Sequence, residues 1–314
     1  MPIKVLDAPE TRNALPYPAL IDALEDGFRS IIHAPLRHHH TLGNVDAADD
    51  TLLLMPAWTD HQWGGVKIVN VVPENGPRSL PAISSSYVLF DRLTGEHRLL
   101  LDGGELTARR TAAASALAAK RLARPDSKRL LVVGAGRVAS NIPAAYRAAL
   151  PIEHVTVYNR TLENARRLVD ELHAENISAT IADDLENAVA EADIISCATL
   201  SQEPILSGDW LQAGQHVDLI GSFTPSMREA DDRALQRSRI FADTDHAKAE
   251  SGELLIPLKS GAITESDIVG TLQEFCRSGR HGRTSADEIT LFKSVGSAVE
   301  DLSAAIAAFK AISA

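Results

Sequence analysis

The feature that most constrains this chain is a glycine-containing segment placed between an apolar run and a helical pattern. The apolar run 130–133 (LLVV) is followed directly by 134–139 (GAGRVA). In a strand–loop–helix unit, such glycines permit a tight turn and let backbone approach a pyrophosphate, which then binds the free N–H groups of the helix N-terminus. The segment therefore predicts a dinucleotide-binding loop, with an ordinary glycine turn as the alternative. Its predicted contacts are Gly134, Gly136, Arg137 and Val138.

The chain after this loop alternates between strand-like and helical patterns, which favours the dinucleotide interpretation over a simple turn. The predicted strands are 155–158, 179–181, 194–197, 217–220 and 240–242, and the predicted helices between them include 162–173 and 184–191. This alternation is typical of a doubly wound parallel sheet, the Rossmann fold. Two later segments, 264–277 and 286–312, are predicted to be helices.

The residues after the second predicted strand bear on which nicotinamide cofactor is preferred. An acid there would bind the ribose 2′-hydroxyl of NAD, but the sequence is Tyr158-Asn159-Arg160-Thr161. Asn159 and Thr161 can donate to a 2′-phosphate and Arg160 can pair with it, helped by Arg137. We therefore predict that NADP(H) is preferred and NAD(H) is possible; the alternative is that Arg160 is a solvated residue at a helix start.

The chain before the glycine loop predicts an α+β domain. Its predicted elements are helix 17–33, strands 52–55 and 66–72, a hairpin of 87–90 with 97–101, and helix 104–123.

Two further cofactor contacts are predicted in the part of the chain after the glycine loop. They are Ala198 and Thr199, which directly follow the predicted strand 194–197.

Composition excludes several classes of partner. The net charge of −11 argues against nucleic acid and anionic membranes, both of which need a basic face. We expect a cytoplasmic protein, because no apolar run approaches the length of a membrane span and Met1–Pro9 lacks a signal-peptide pattern. Cys197 and Cys276 have apolar neighbours and are predicted to be buried free thiols.

Four strings in this order resemble the ornithine cyclodeaminase/mu-crystallin family. They are 102–116 (DGGELTARRTAAASA), 134–139 (GAGRVA), 158–161 (YNRT) and 292–301 (FKSVGSAVED). The resemblance covers nearly the whole chain. It implies a Rossmann domain (118–294) inserted into a substrate-binding and dimerisation domain (1–117 plus 295–314), and hence a homodimer. Small residues on the predicted helix faces also suggest a dimer.

The same resemblance implies a set of site residues. Arg37, Lys67 and Arg110 match positions that hold the substrate carboxylate near the reacting carbon, and Arg110, Thr111 and Lys293 match cofactor contacts. A guanidinium can grip a carboxylate with two parallel hydrogen bonds, and partial burial could lower the pKa of Lys67 and make it a catalytic proton relay. The alternatives are an edge-strand lysine for Lys67 and a helix-surface arginine for Arg110, as expected for Arg109.

A run of three histidines, His38 to His40, does not predict a metal site. Adjacent residues of an extended segment point to opposite sides, so the three cannot face one ion. We therefore expect no metal; one of these histidines is a candidate for the substrate pocket beside Arg37.

One departure from the family pattern points to a reaction. The deaminating members and the alanine dehydrogenases carry an Asp where this chain has Phe223, within 221–225 (GSFTP). Phenylalanine cannot accept a proton or pair with an ammonium group, whereas a flat apolar wall suits a small ring. The string 221–229 (GSFTPSMRE) also resembles the family branch that reduces Δ1-pyrroline-2-carboxylate.

We therefore predict NAD(P)H-dependent reduction of a cyclic imino acid, Δ1-pyrroline-2-carboxylate, to L-proline, which would place the chain in proline metabolism. The alternatives are another ketimine reductase, acting on Δ1-piperideine-2-carboxylate or an open-chain imine, and then ornithine cyclodeaminase. A non-enzymatic mu-crystallin-like protein that binds NADP and a small ligand is a candidate from a different class.

Overall fold

The protein is described by a computed structural model over residues 3–43, 49–78 and 80–313. Its contacts divide the chain into two compact units. Unit 1 comprises Met1–Arg110 and Ser297–Ala314, and unit 2 comprises Thr111–Gly296. The functional domain limits derived from the family resemblance stay a prediction.

Within those residues, unit 1 contains a seven-stranded sheet. Its strands are β1 (Lys4–Leu6), β2 (Ile32–His33), β3 (His38–Thr41), β4 (Thr51–Thr59), β5 (Trp63–Val71), β6 (Ile83–Asp91) and β7 (His97–Asp102). Their order is β1-β7-β6-β5-β4-β2, with β3 also paired to β4. The predicted hairpin is the antiparallel pair β6–β7, whereas β1 runs parallel to β7.

Strand β5 lies between β4 and β6, and its side chains alternate between the two faces of the sheet. Gly65, Lys67 and Val69 share the buried face. Lys67 is therefore an interior residue of a central strand, which excludes the edge-strand alternative.

The helices in the first part of the chain are α1 (Ala8–Asn13), α2 (Tyr17–Arg29) and α3 (Gly103–Leu122). Helix α2 ends four residues before the predicted limit because Ser30 is extended and the chain enters β2. The alanines 112–114 and 116 of α3 have no exposed surface within the chain. They pack inside the protomer, so the small residues of this helix carry no argument for a dimer.

Unit 2 has an eight-stranded, fully parallel sheet within the described residues, which confirms the Rossmann prediction. The strands are β8 (Arg129–Val133), β9 (His154–Tyr158), β10 (Ala179–Ile181), β11 (Ile194–Cys197), β12 (His216–Leu219), β13 (Ser238–Ala242), β14 (Ile268–Thr271) and β15 (Ile289–Lys293). Their order is β10-β9-β8-β11-β12-β15-β13-β14. The helices are α4 (Ile142–Ala149), α5 (Leu162–Ala174), α6 (Leu185–Glu191), α7 (Asp232–Gln236), α8 (Ala247–Glu250), α9 (Gly252–Ser260) and α10 (Leu272–Ser278).

The two helices predicted near the end of the chain are each wrong in their first part. Segment 264–277 contains β14 before α10, and 286–312 contains β15 before the last helix, α11 (Ala298–Ala311). Every residue of β15 is buried, because the strand lies between β12 and β13. A short run buried on both faces has no alternation, so periodicity alone cannot distinguish it from a helix.

Helix α11 returns the chain to unit 1, where it packs on α2, β4 and β5. It begins after Gly296, whose φ of +73° is the left-handed conformation that glycine adopts readily. The side chain of Ser297 caps the helix by accepting from the Glu300 N–H. This start places Glu300 and Asp301 in the buried first turns of α11.

Among residues 3–43, 49–78 and 80–313, no helix has the length and apolar character needed to cross a membrane. The same residues include no group of three or more His, Cys, Asp or Glu side chains placed to hold a metal ion. His38 to His40 form the exposed strand β3. Cys197 and Cys276 are buried free thiols, as predicted.

Candidate active site

The glycine loop connects the carboxyl ends of three neighbouring strands of unit 2. Gly134 follows β8 with a φ of +116°, and its N–H donates to Tyr158 O at the end of β9 (2.8 Å). A Cβ atom built on Gly134 would lie 2.7 Å from Ala198 O, just after β11. Both the backbone angle and the close approach require glycine here.

The second glycine of the loop has open space beside it. A Cβ atom built on Gly136 would meet no heavy atom within 4 Å. Ser140 N–H donates to Gly136 O (3.0 Å) and starts a short 3₁₀ helix, Ala139–Asn141, that leads into α4. The backbone N–H groups of the loop residues before Ser140 lie at the start of this helix and are suited to bind an anion. The loop therefore fits the pyrophosphate of a dinucleotide.

The end of β9 presents polar and basic groups without an acid. Asn159 Nδ2 donates to Thr161 O (2.9 Å), and Thr161 precedes α5. Arg137 and Arg160 are exposed, and neither forms an ion pair with the part of the chain that the structure describes. Their roles toward a 2′-phosphate stay predictions.

A buried carboxylate that sequence reasoning missed joins two loops at the same edge of the sheet. Glu229 accepts from Thr199 N (2.7 Å) and Thr199 Oγ1 (2.8 Å) after β11, and from Gly221 N (2.7 Å) after β12. Burial raises the pKa of Glu229 to about 7, although Lys293 opposes this shift. Glu229 thus holds Thr199, a predicted cofactor contact, in a fixed position.

Three other predicted residues of unit 2 occupy different surroundings. Lys293 is fully buried at the end of β15, where its Nζ donates to Leu219 O (2.9 Å). Burial lowers its pKa. Thr111 is buried in α3, whereas Phe223 lies exposed in the loop after β12. As cofactor or substrate contacts, these three residues stay predictions.

In unit 1, two of the predicted cations lie in one buried ionic cluster with two acids. Lys67 Nζ lies 2.8 Å from Asp301 Oδ2. Arg110 donates from Nε to Asp301 Oδ1 (2.9 Å) and from Nη1 to Glu300 Oε2 (2.9 Å). The four side chains are between 0% and 5% exposed. Arg110 is thus an interior residue, contrary to the helix-surface alternative.

The charges and the burial of this cluster change the pKa values of Lys67 and Asp301. Burial lowers the pKa of Lys67 to about 8; Asp301 partly opposes this shift, and Arg110 and Arg37 add to it. Arg37 is therefore close enough for its charge to act on Lys67. Burial alone would raise the pKa of Asp301, but Lys67 and Arg110 hold it below its ordinary value. An ammonium group with this pKa is largely charged at neutral pH and can still release its proton.

The neighbouring Arg109 is not the surface arginine that we expected. It is buried, donates from Nε to Leu15 O (2.9 Å), and its guanidinium lies 4.1 Å from the centre of the Tyr17 ring. Arg109 thus fastens α3 to the chain before α2, while Arg110 takes part in the ionic cluster.

The sequence contained signals for the acids that we missed. Glu300 and Asp301 stand at the end of the string 292–301, followed by an alanine-rich apolar helix. Adjacent acids in such a helix require buried cationic partners, because unpaired buried charges are costly. Glu229 is likewise the last residue of the string 221–229. Its partners include backbone N–H groups, which no sequence pattern identifies.

Comparisons with known proteins agree with the fold. A family model described as ornithine cyclodeaminase/mu-crystallin family matches residues 4–314. The chain is 40% identical over 276 residues to a Δ1-pyrroline-2-carboxylate reductase of Paracoccus denitrificans, which covers 85% of this chain and 87% of the relative. The structure of the Thermococcus litoralis Δ1-pyrroline-2-carboxylate reductase in complex with NADH and L-proline is 32% identical, with a TM-score of 0.92 over 98% of this chain and 97% of that one. An archaeal alanine dehydrogenase dimer with bound NAD is 27% identical, with a TM-score of 0.90 over 99% of this chain and 96% of that one.

Proposed function

The chain belongs to the ornithine cyclodeaminase/mu-crystallin family, and from that premise we propose that it reduces Δ1-pyrroline-2-carboxylate to L-proline with a nicotinamide dinucleotide. The observation that carries this proposal is the buried Lys67 ammonium beside the Arg110 guanidinium, joined by Asp301. A proton donor and a carboxylate anchor are the two groups that reduction of a cyclic imino acid requires from the protein.

Arg110 is the proposed anchor for the substrate carboxylate. Its Nε and Nη1 atoms donate to Asp301 and Glu300, and its Nη2 group has no acceptor among the described residues. The acids hold the guanidinium plane, so Nη2 can donate to a carboxylate without rearrangement of the side chain. The positive charge of Arg37 also acts on Lys67 and lowers its pKa.

Lys67 is the proposed proton donor. Protonation of the ring nitrogen makes the adjacent carbon of the C=N bond electrophilic, and the reduced nicotinamide supplies a hydride when bound. One proton and one hydride add across C=N, which gives the C–H and N–H bonds of proline. Lys67 is left neutral and regains a proton from solvent.

Phe223 supports imine reduction over deamination. A phenyl ring cannot pair with the ammonium group of ornithine or activate water, whereas an apolar ring can pack on the CH₂ groups of a pyrroline. The absence of a carboxyl group at this position is a property of the sequence itself.

The direct test mixes the purified protein with Δ1-pyrroline-2-carboxylate and NADPH or NADH, and follows the loss of reduced-nicotinamide absorbance. We expect turnover and formation of L-proline. Faster turnover of Δ1-piperideine-2-carboxylate would correct the ring size, and ammonia release from ornithine would favour cyclodeamination. Binding of NADPH without turnover of any imine would favour a binding protein.

NADP(H) is the proposed cofactor, with NAD(H) as a weaker substitute. The support is the sequence Asn159-Arg160-Thr161 after β9, where no acid is present to bind a ribose 2′-hydroxyl. The ratio of kcat/KM for NADPH and NADH measures this preference, and a clear preference for NADH would contradict it.

A homodimer is the proposed assembly, on the support of the dimeric archaeal alanine dehydrogenase. Analytical ultracentrifugation tests it, and a monomer at micromolar concentration would contradict it. The cytoplasmic location and the role in proline metabolism stay predictions from the sequence.

A further inference from the structure

On the basis of the proposed function, we further propose that Asp301 is a positioning residue whose two carboxylate oxygens fix the proton donor relative to the carboxylate anchor. Oδ1 accepts from Arg110 Nε (2.9 Å) and Oδ2 lies 2.8 Å from Lys67 Nζ. One carboxylate is thus shared by two cations with different tasks. Asp301 acts through these two residues and requires no contact with the substrate.

The three partners come from separate elements of unit 1. Lys67 lies on β5, Arg110 on α3 and Asp301 in the first turns of α11. Asp301 is fully buried, so ions from solvent cannot replace its negative charge beside the two cations. The helix start also favours a negative charge at this position. Asp301 therefore joins three elements at the point where the proposed chemistry requires precision.

Among the charged groups near Lys67, Asp301 has the opposite effect on its pKa from the two arginines. Arg110 of α3 and Arg37 lower the pKa of Lys67, as does burial, whereas Asp301 of α11 raises it. On β6, the residue paired with Lys67 is Tyr87, whose pKa is raised well above its ordinary value by burial and by Asp301, so it is uncharged near pH 8. The β4 residue paired with Lys67 is Met55, which carries no charge.

Glu300 provides a matched comparison within the same turn of α11. It is buried and accepts from Arg110 Nη1, but it is not one of the main groups that shift the pKa of Lys67. Asp301→Asn and Glu300→Gln each remove one buried negative charge from Arg110. Only Asp301→Asn removes the counter-ion of Lys67.

The experiment measures kcat/KM for Δ1-pyrroline-2-carboxylate against pH in three proteins. In Asp301→Asn the alkaline limit of activity should move to lower pH by about one to three pH units, so that activity near neutrality falls and is partly restored in acid. In Glu300→Gln the limit should stay within a few tenths of a pH unit of the parent, while KM rises. Equal limits in all three proteins, or equal shifts in both variants, would overturn the proposal.

A second measurement separates this inference from the proposed reaction. NMR of the protein labelled with ¹³C-lysine gives the titration of Lys67 directly, with its signal assigned by its loss in Lys67→Arg. A lower titration midpoint in Asp301→Asn, and not in Glu300→Gln, supports the inference even if the parent protein reduces no imine. An unchanged midpoint contradicts it whatever the activity.

If Asp301→Asn does not fold, Arg110→Gln tests whether Lys67 and Arg110 share the Asp301 carboxylate, because it removes the second cation instead of the acid. Loss of the guanidinium leaves Asp301 to Lys67 alone, so the Lys67 midpoint should rise. A midpoint that stays at the parent value would show that the two cations do not share the carboxylate.

Discussion

At the scale of single residues, Lys67 combines burial with a retained positive charge. Burial removes the water that would stabilise the ammonium group, and Asp301 replaces part of that stabilisation. The result is a pKa of about 8, between that of an ordinary lysine and neutrality. A donor with this pKa releases its proton more readily than an exposed lysine does.

The pH dependence of the reaction follows from the protonation state of Lys67. The charged form is the donor, so kcat/KM for imine reduction should be level below pH 8 and fall by about tenfold per pH unit above it. Initial rates from pH 6 to pH 10 measure this limit. A rate that stays level across the alkaline range would remove Lys67 from the donor role.

Removal of the Lys67 ammonium should affect turnover rather than cofactor binding. In Lys67→Ala we expect kcat/KM to fall by about 10²- to 10⁴-fold, the usual contribution of a positioned acid. The Kd for NADPH, measured by fluorescence titration, should stay within about twofold, because Lys67 is not one of the predicted cofactor contacts. Lys310→Ala is the control, since Lys310 is an exposed lysine of the same unit.

At the scale of elements, the glycine loop shows how two glycines of one motif serve different purposes. Gly134 has a positive φ and no space for a Cβ atom, whereas a Cβ atom on Gly136 would enter open space. The first glycine is thus required by the fold itself. The second is required only if a ligand approaches the backbone.

The two alanine variants should separate these purposes. Gly134→Ala should lower the free energy of unfolding by about 1–3 kcal/mol, because the backbone angle is strained for alanine. Gly136→Ala should leave that free energy nearly unchanged and raise the Kd for NADPH. Urea denaturation and fluorescence titration measure the two effects. Equal loss of stability in both variants would contradict the assignment of Gly136 to the cofactor.

The same scale shows where sequence patterns fail. The hairpin β6–β7 and strands β8 to β12 are predictable, because alternation or short apolar runs between turn residues identify them. The sequence pattern predicts the beginning of a helix where strand β15 lies, since the five residues of β15 are all buried and an alanine-rich helix follows closely. Its identity as a strand depends on β12 and β13, which lie far from it in the sequence.

At the scale of the whole molecule, cofactor binding should appear as a gain in stability. A ligand that binds only the folded state adds about 2.7 kcal/mol to the free energy of unfolding when its concentration is about a hundred times its Kd. Because NADPH is the proposed tighter ligand, it should raise Tm more than NADH does at equal concentrations. Scanning calorimetry measures the difference, and a larger effect of NADH would contradict the proposed preference.

Arg160 should account for much of that difference. Arg160→Ala should raise the Kd for NADPH by about ten- to a hundredfold, the effect of one hydrogen bond to a charged group, and leave the Kd for NADH nearly unchanged. Arg166→Ala is the control, because Arg166 is an exposed arginine on the following helix α5. Equal effects of both variants would indicate a general electrostatic role.

The sequence by itself determined the class of fold and the glycine loop, and its resemblance to a family supplied the candidate cations of the site. The first two features are local, because a strand, a glycine turn and a helix start are contiguous. The burial of Lys67 is also local in origin, since it follows the alternation of one strand. Only the tertiary structure decided which acids accompany the cations. Asp301 meets Lys67 and Arg110 because α11 returns the chain to unit 1 after the segment that contains the Rossmann sheet. Partners that distant in the sequence leave no local pattern, since their pairing depends on the path of all the intervening chain.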